Sequence, residues 1–157
     1  MNLKPLILQS ETTVQDEFVK QGHNNTGRAV NSIQGNPTPN GFNIEGNDYI
    51  NILNEGVSAG NIPYSGNGGG GTSKYIQGLI EYVLQRGIAT GRAEATRVAF
   101  AIANKQRKEG MPTNASRRFS QTGKRTGFLD VAADKISNDV EEYLQDEAEK
   151  EINRFWK

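Results

Sequence analysis

"GFNIEGNDYINILNEG", Gly41 to Gly56, decides whether this chain is all helix or carries a sheet. Phe42 and Ile44 alternate with Asn43 and Glu45, the period-two pattern of a half-buried strand. "DYINIL", Asp48 to Leu53, is a second apolar run, and Gly46 and Asn47 between the two are good hairpin residues. The stretch therefore predicts a two-stranded ribbon at least. Everything around it reads as helix or loop, so the fold class is α+β: a small antiparallel or mixed sheet flanked by several helices, with a long C-terminal helix.

Working outward, Pro5 to about Gln21 carries Leu6, Ile7, Val14, Phe18 and Val19 at amphipathic spacing, with Gly22 as a stop. In "NNTGRAVNSIQGNPTPNG", Thr26 is placed to cap a short helix burying Ala29, Val30 and Ile33, broken by Gly35 to Gly41. Tyr75, Ile76, Leu79, Ile80, Val83 and Leu84 mark a clear helix closed near Arg86 and Gly87. Ala93 to Glu109 follows, with Ala95, Val98, Ala99, Ile102 and Ala103 on one side and "EGMP" as its end. Phe128 to Phe155 reads as one long helix. The 157 residues are expected to form a single domain, 1–157, with a Gly-rich flexible loop at 60–73, a basic loop at 113–126 and the C-terminal helix at 128–155.

Several chemistries are disfavoured. "SGNGGGGTSKYI", Ser65 to Ile76, has glycines and a lysine but not the G-x-x-x-x-G-K-[ST] order, and no apolar strand feeds it, so it reads as an insertion and not a phosphate cradle. There is no cysteine, hence no disulfide and no thiolate ligand. No His, Cys or acidic cluster has metal-ligand spacing, and no cofactor is expected. The single histidine, His23, lies in the polar junction "KQGHNNTG" and reads as an exposed turn residue in preference to a catalytic one. With no nucleophile elbow beside it, a hydrolase built on His23 ranks last among the readings. No apolar run is long enough for a membrane span, and the N-terminus does not resemble a signal peptide, so a soluble protein made in a cytoplasm is expected.

The charge layout says more. The formal net charge is zero, yet the stretch from Arg86 to Arg125 holds ten basic residues against Glu94 and Glu109, while Asp139 to Glu151 holds seven carboxylates against Lys150. Acids late in a helix oppose its macrodipole, so local helix stability does not account for them. They are either an ordinary solvated face or the surface of a partner. A neutral subunit with opposite poles suits head-to-tail association, and the basic loop suits phosphates. A nucleic-acid-binding module using 113–126 is therefore the alternative reading, although that loop matches no recognition motif.

An ordered series of short motifs resembles the neck and tail-completion proteins of tailed bacteriophages, a phage morphogenesis family. "TGRAVNSI" (Thr26 to Ile33) is similar to the family's T-G-x-L-x-x-S-I segment, with Ala29 where the pattern prefers Leu. "DYINILNEG" (Asp48 to Gly56) looks like its strand end, and the Gly/Pro loop Gly60 to Gly71 follows. "IQGLIEYVLQRGI" (Ile76 to Ile88), "AFAIANKQRKEGMP" (Ala99 to Pro112) and "TGFLDVA" (Thr126 to Ala132) resemble its later helices. A long basic insertion between the last two departs from the pattern.

The resemblance implies a virion structural protein, made in the host cytoplasm, that forms a homo-oligomeric ring at the head-tail junction as neck, tail-completion or tail-terminator subunit. Its implied partners are a portal or head-tail adaptor protein, tail tube or terminator proteins, and genomic DNA in the lumen. It implies no catalysis. Arg28, Tyr49, Glu55, Arg117, Arg118, Lys124 and Arg125 are the expected interface residues.

Overall fold

The computed structural model describes residues 2–66 and 73–156. Its α+β architecture is a two-stranded antiparallel ribbon among helices: α1 (Lys4–Lys20), β1 (Gln34–Thr38), β2 (Gly41–Glu45), α2 (Tyr49–Glu55), α3 (Lys74–Gln85), α4 (Arg92–Glu109) and α5 (Phe128–Phe155). Of the loop expected at 60–73, residues 67–72 lie outside the described residues.

α1 forms where the apolar spacing placed it. Leu6, Ile7, Val14 and Phe18 are buried, as are Ser10 and Glu17 on the same face, while Val19, expected to be buried, is exposed. The helix stops at Gly22, whose left-handed φ of 77° lets its N–H bond the Val19 carbonyl at 2.8 Å. The following turn is held by Asn24, whose Oδ1 accepts from the Gly27 N–H at 3.1 Å. Thr26 caps nothing: Val30–Ser32 is a single 3-10 turn with no side-chain cap, although Ile33 is buried as expected.

The ribbon is real but shifted along the chain. β2 contains Phe42 and Ile44, as the alternation requires, but its partner is the upstream "QGNPT", with Thr38 opposite Gly41 and Pro39–Asn40 as the connection. Gly46–Asn47 is not the hairpin turn. "DYINIL" is helix α2, including the part that the family resemblance reads as a strand end. Its apolar positions fit both periods; Ile50 is buried and Leu53 half-buried, while Ile52 is exposed, which is helical spacing. β1 lacks apolar alternation, and its place is set by Gly35. A Cβ there would stand 2.5 Å from the Ile7 methyl, so the missing side chain lets α1 lie against the ribbon.

α3 starts at Ser73, whose Oγ accepts from the Ile76 N–H at 3.3 Å, and α4 ends at Gly110 with φ 81°. Together they bury Ile76, Ile80, Val83, Ala89, Ala95, Ala99 and Ala103. A second core joins α1, β2, α2 and α5 through Val14, Phe18, Ile33, Ile50, Phe128 and Ala132. The segments after α2 and α4 are tied together where Val57 and Met111 exchange both backbone hydrogen bonds at 2.7 Å. α5 spans its expected range; Phe128 and Ala132 are buried and Ile136, Val140 and Tyr143 half-buried, whereas Leu144, Ile152 and Phe155 are exposed.

Candidate functional site

The basic segment 113–126 is not an open loop. Asn114–Phe119 is a 3-10 helix, started where the Asn114 N–H donates to Glu109 at 3.0 Å. Lys105 holds the same carboxylate at 2.5 Å, and that contact keeps the Glu109 pKa below its ordinary value. Beyond the 3-10 helix, the chain docks on the end of α1. The Gln121 N–H donates to the Lys20 carbonyl at 2.8 Å, and the Arg125 guanidinium donates to the carbonyls of Gln21 and Gly22 at 3.2 and 2.9 Å. Gly22 faces the Phe119 carbonyl so closely that any Cβ would collide with it. The segment is thus ordered by its own chain.

That docking sorts the expected interface residues. Arg117, Arg118 and Lys124 are exposed and form no ion pair among the described residues. The Arg118 guanidinium lies 4.8 Å from the ring centre of Phe119, which is itself 58% exposed. Arg125, by contrast, is an internal clasp: it is half-buried, and its donors satisfy the carbonyls left over at the end of α1. Arg28 and Glu55 are exposed but sit on separate elements, the 22–29 turn and the end of α2. Tyr49 is exposed at the start of α2, within electrostatic range of Arg125; exclusion of water around its hydroxyl raises its pKa.

Tyr82 and Arg86, the latter expected only as the end of a helix and one of the ten basic residues, belong to the same neighbourhood. Arg86 stands 5.7 Å from the Tyr82 ring centre and donates to the Asn24 carbonyl at 2.8 Å, and both residues act electrostatically on Arg125. The cue available in sequence was the four-residue spacing that puts Tyr82 and Arg86 on one side of α3.

His23 is not the exposed turn residue expected. Its ring packs against Phe18 and Phe128, with centroids at 5.2 and 5.4 Å, and those two phenyl rings meet edge to face at 5.3 Å. Both ring nitrogens are shut off from solvent. Burial, then the Arg125 charge, pushes its pKa down to about 4, so the imidazole is neutral near pH 7. It packs as a third aromatic in this core. No group of three metal-ligating side chains exists among the described residues. An open hollow of 680 Å³ beside Tyr64, Ile62 and Arg107 contains no acid or histidine. No helix is long and apolar enough to cross a membrane among the described residues.

The acidic residues occupy the second half of α5. α5 runs antiparallel to α1: Phe128 meets Phe18, Lys135 pairs with Glu17 at 2.6 Å, and the Tyr143 hydroxyl donates to the Asn2 carbonyl at 2.7 Å. Residues 144–155 therefore project past the start of α1, by about 18 Å at 1.5 Å per residue. Glu147 pairs with Lys150 and Glu151 with Arg154, whereas Asp139, Glu141, Glu142, Asp146 and Glu149 form no ion pair among the described residues. The basic segment is clasped to the other end of the same helix pair, and the carboxylates that form no ion pair, Asp139 to Glu149, lie about 17 to 32 Å from Phe128 along α5.

No family model, curated protein or solved structure matches this chain.

Proposed function

We propose that the chain is a non-enzymatic structural subunit of the neck or tail-completion ring of a tailed bacteriophage, acting in the virion. In that role it joins a portal or head-tail adaptor protein to tail tube or terminator proteins, with genomic DNA passing through the ring. The observation that carries the reading is the separation of charge. Arg117, Arg118 and Lys124 stand at one end of the α1–α5 pair and the unpaired carboxylates of α5 stand toward the other. A helix of this length keeps the two groups from neutralising each other within one subunit, while a second copy placed end to end brings them together. Contacts between unlike surfaces repeat, and they close into a ring when the rotation allows. The motif series gives the phage assignment, and His23, its ring nitrogens shut off from solvent between two phenyl rings, is taken up by core packing.

Native mass by light scattering, followed across protein concentration and salt, tests the reading. A closed oligomer that weakens as salt rises is the expected result, because the Debye length falls from about 10 Å at 0.1 M to about 3 Å at 1 M. A monomer at every concentration and low salt would sink it.

A further inference from the structure

The projecting end of α5 has a surface that its own chain does not cover. Leu144, Ala148, Ile152 and Phe155 follow one another at spacings of four, four and three, which aligns them in one stripe on the helix. All four are exposed, Phe155 at 86%. Helical rotation sets Glu147 and Glu149 on opposite flanks of this stripe. About a dozen residues of isolated helix are marginal in water, so a segment of this kind gains most of its stability from a surface that buries the stripe.

The chemistry wanted of that surface is an apolar centre between cations. The 3-10 helix Asn114–Phe119 presents it: Phe119 exposed, Arg118 stacked on its ring, Arg117 beside it, and neither arginine in an ion pair among the described residues. This ledge is held in place by the clasp of Gln121 and Arg125 on the end of α1, so it is formed before any partner arrives. It cannot receive the α5 end of its own subunit, because the two lie at opposite ends of the α1–α5 pair.

We infer that the occupant is a second copy of this chain: the 144–155 stripe of one subunit seats on the Arg117–Arg118–Phe119 ledge of the next, with Glu149 and, on release from its intrahelical partner Lys150, Glu147 meeting the arginines. The inference rests on the ring reading above and adds to it the two faces that meet.

Mixing two complementary variants tests it. Leu144→Asp with Ile152→Asp spoils the stripe and leaves the ledge, while Arg117→Glu with Arg118→Glu spoils the ledge and leaves the stripe. Each alone is expected to run at the subunit mass of 17.2 kDa. An equal mixture is expected to form a species of twice that mass and nothing larger, since each pair has one good joint and two dead ends. If the wild type is oligomeric and either variant keeps the wild-type mass, this interface is wrong and the ring reading stands. Variants that are both monomeric and stay so on mixing also overturn the stripe-to-ledge pairing. A wild type that is always monomeric removes both. Should charge reversal unfold the 3-10 helix, seen as lost far-UV signal, Arg117→Ala with Arg118→Ala carries the same mixing test.

Discussion

The two cores of this protein are built on opposite plans. Between α1 and α5 the space is filled by large side chains, Phe18, Phe128, Ile33 and Ile50, together with the His23 ring and the Glu17 carboxylate, which Lys20 and Lys135 hold at 3.1 and 2.6 Å. Between α3 and α4 the space is narrowed instead: Ala95, Ala99 and Ala103, fully buried at intervals of four, form a smooth strip on α4 facing Ile76, Ile80 and Val83. One core is vulnerable to loss of volume and the other to gain. The first also contains groups that titrate in mild acid.

The largest effect is expected from emptying the first core. Phe128 is fully buried and touches both Phe18 and His23, so Phe128→Ala should cost about 3–5 kcal/mol in urea unfolding. A loss under 1 kcal/mol would show that the aromatic trio is not packed as described. Next in size is overfilling the second core: Ala99→Leu should cost about 1–3 kcal/mol, because the added branches meet α3 with no cavity to enter. If that substitution proves neutral, the contrast between the cores fails.

Acid sharpens the same contrast with a smaller effect. The His23 pKa is about 4 in the fold against 6.5 for a free imidazole, so as pH falls the unfolded chain takes up the proton first. Stability is then full above pH 6.5, declines between 6.5 and 4, and levels off below, by something of the order of 2 kcal/mol once screening at the half-buried ring is allowed for. Glu17, whose pKa is lowered chiefly by the hydrogen bond from Lys135, adds a further loss below its ordinary range. His23→Leu should flatten the slope between pH 6.5 and 4 while leaving the Glu17 portion. An unchanged slope would mean that the imidazole is solvated.

Legibility followed how local each cause was. α3, α4 and α5 were readable because their apolar spacing is set within a few turns, and the strand at Phe42–Glu45 because alternation is local too. Its partner was not, because "QGNPT" is a strand for a reason located in α1: the Ile7 methyl needs the space at Gly35. The Asn40–Gly41 pair was a turn signal within reach, but Gly46–Asn47 competed with it, and the apolar quartet of α2 satisfies two periods at once. At the site, composition marked Arg117, Arg118 and Lys124 as an exposed basic group. It could not separate Arg125 from them, since the carbonyls that Arg125 satisfies belong to Gln21 and Gly22 at the other end of the sequence. The burial of His23 was hidden for the same reason: its neighbours in sequence are polar, and the phenyl ring that covers it comes from the start of α5.

The pairing of α1 with α5 also governs what happens during synthesis. α3 and α4 are neighbours in the chain and can close on each other as soon as both have left the ribosome. The ribbon can cover part of the apolar face of α1 early, but the part around Phe18 must wait for Phe128, which emerges roughly a hundred residues later, some 5–20 s at typical elongation rates. Throughout that interval the Phe18 ring lacks its edge-to-face partner in a growing chain whose second half is already ordering. The nascent protein thus passes through a sticky stage that its finished form conceals, and the rate at which ribosomes deliver α5 sets how long a chaperone must shield it.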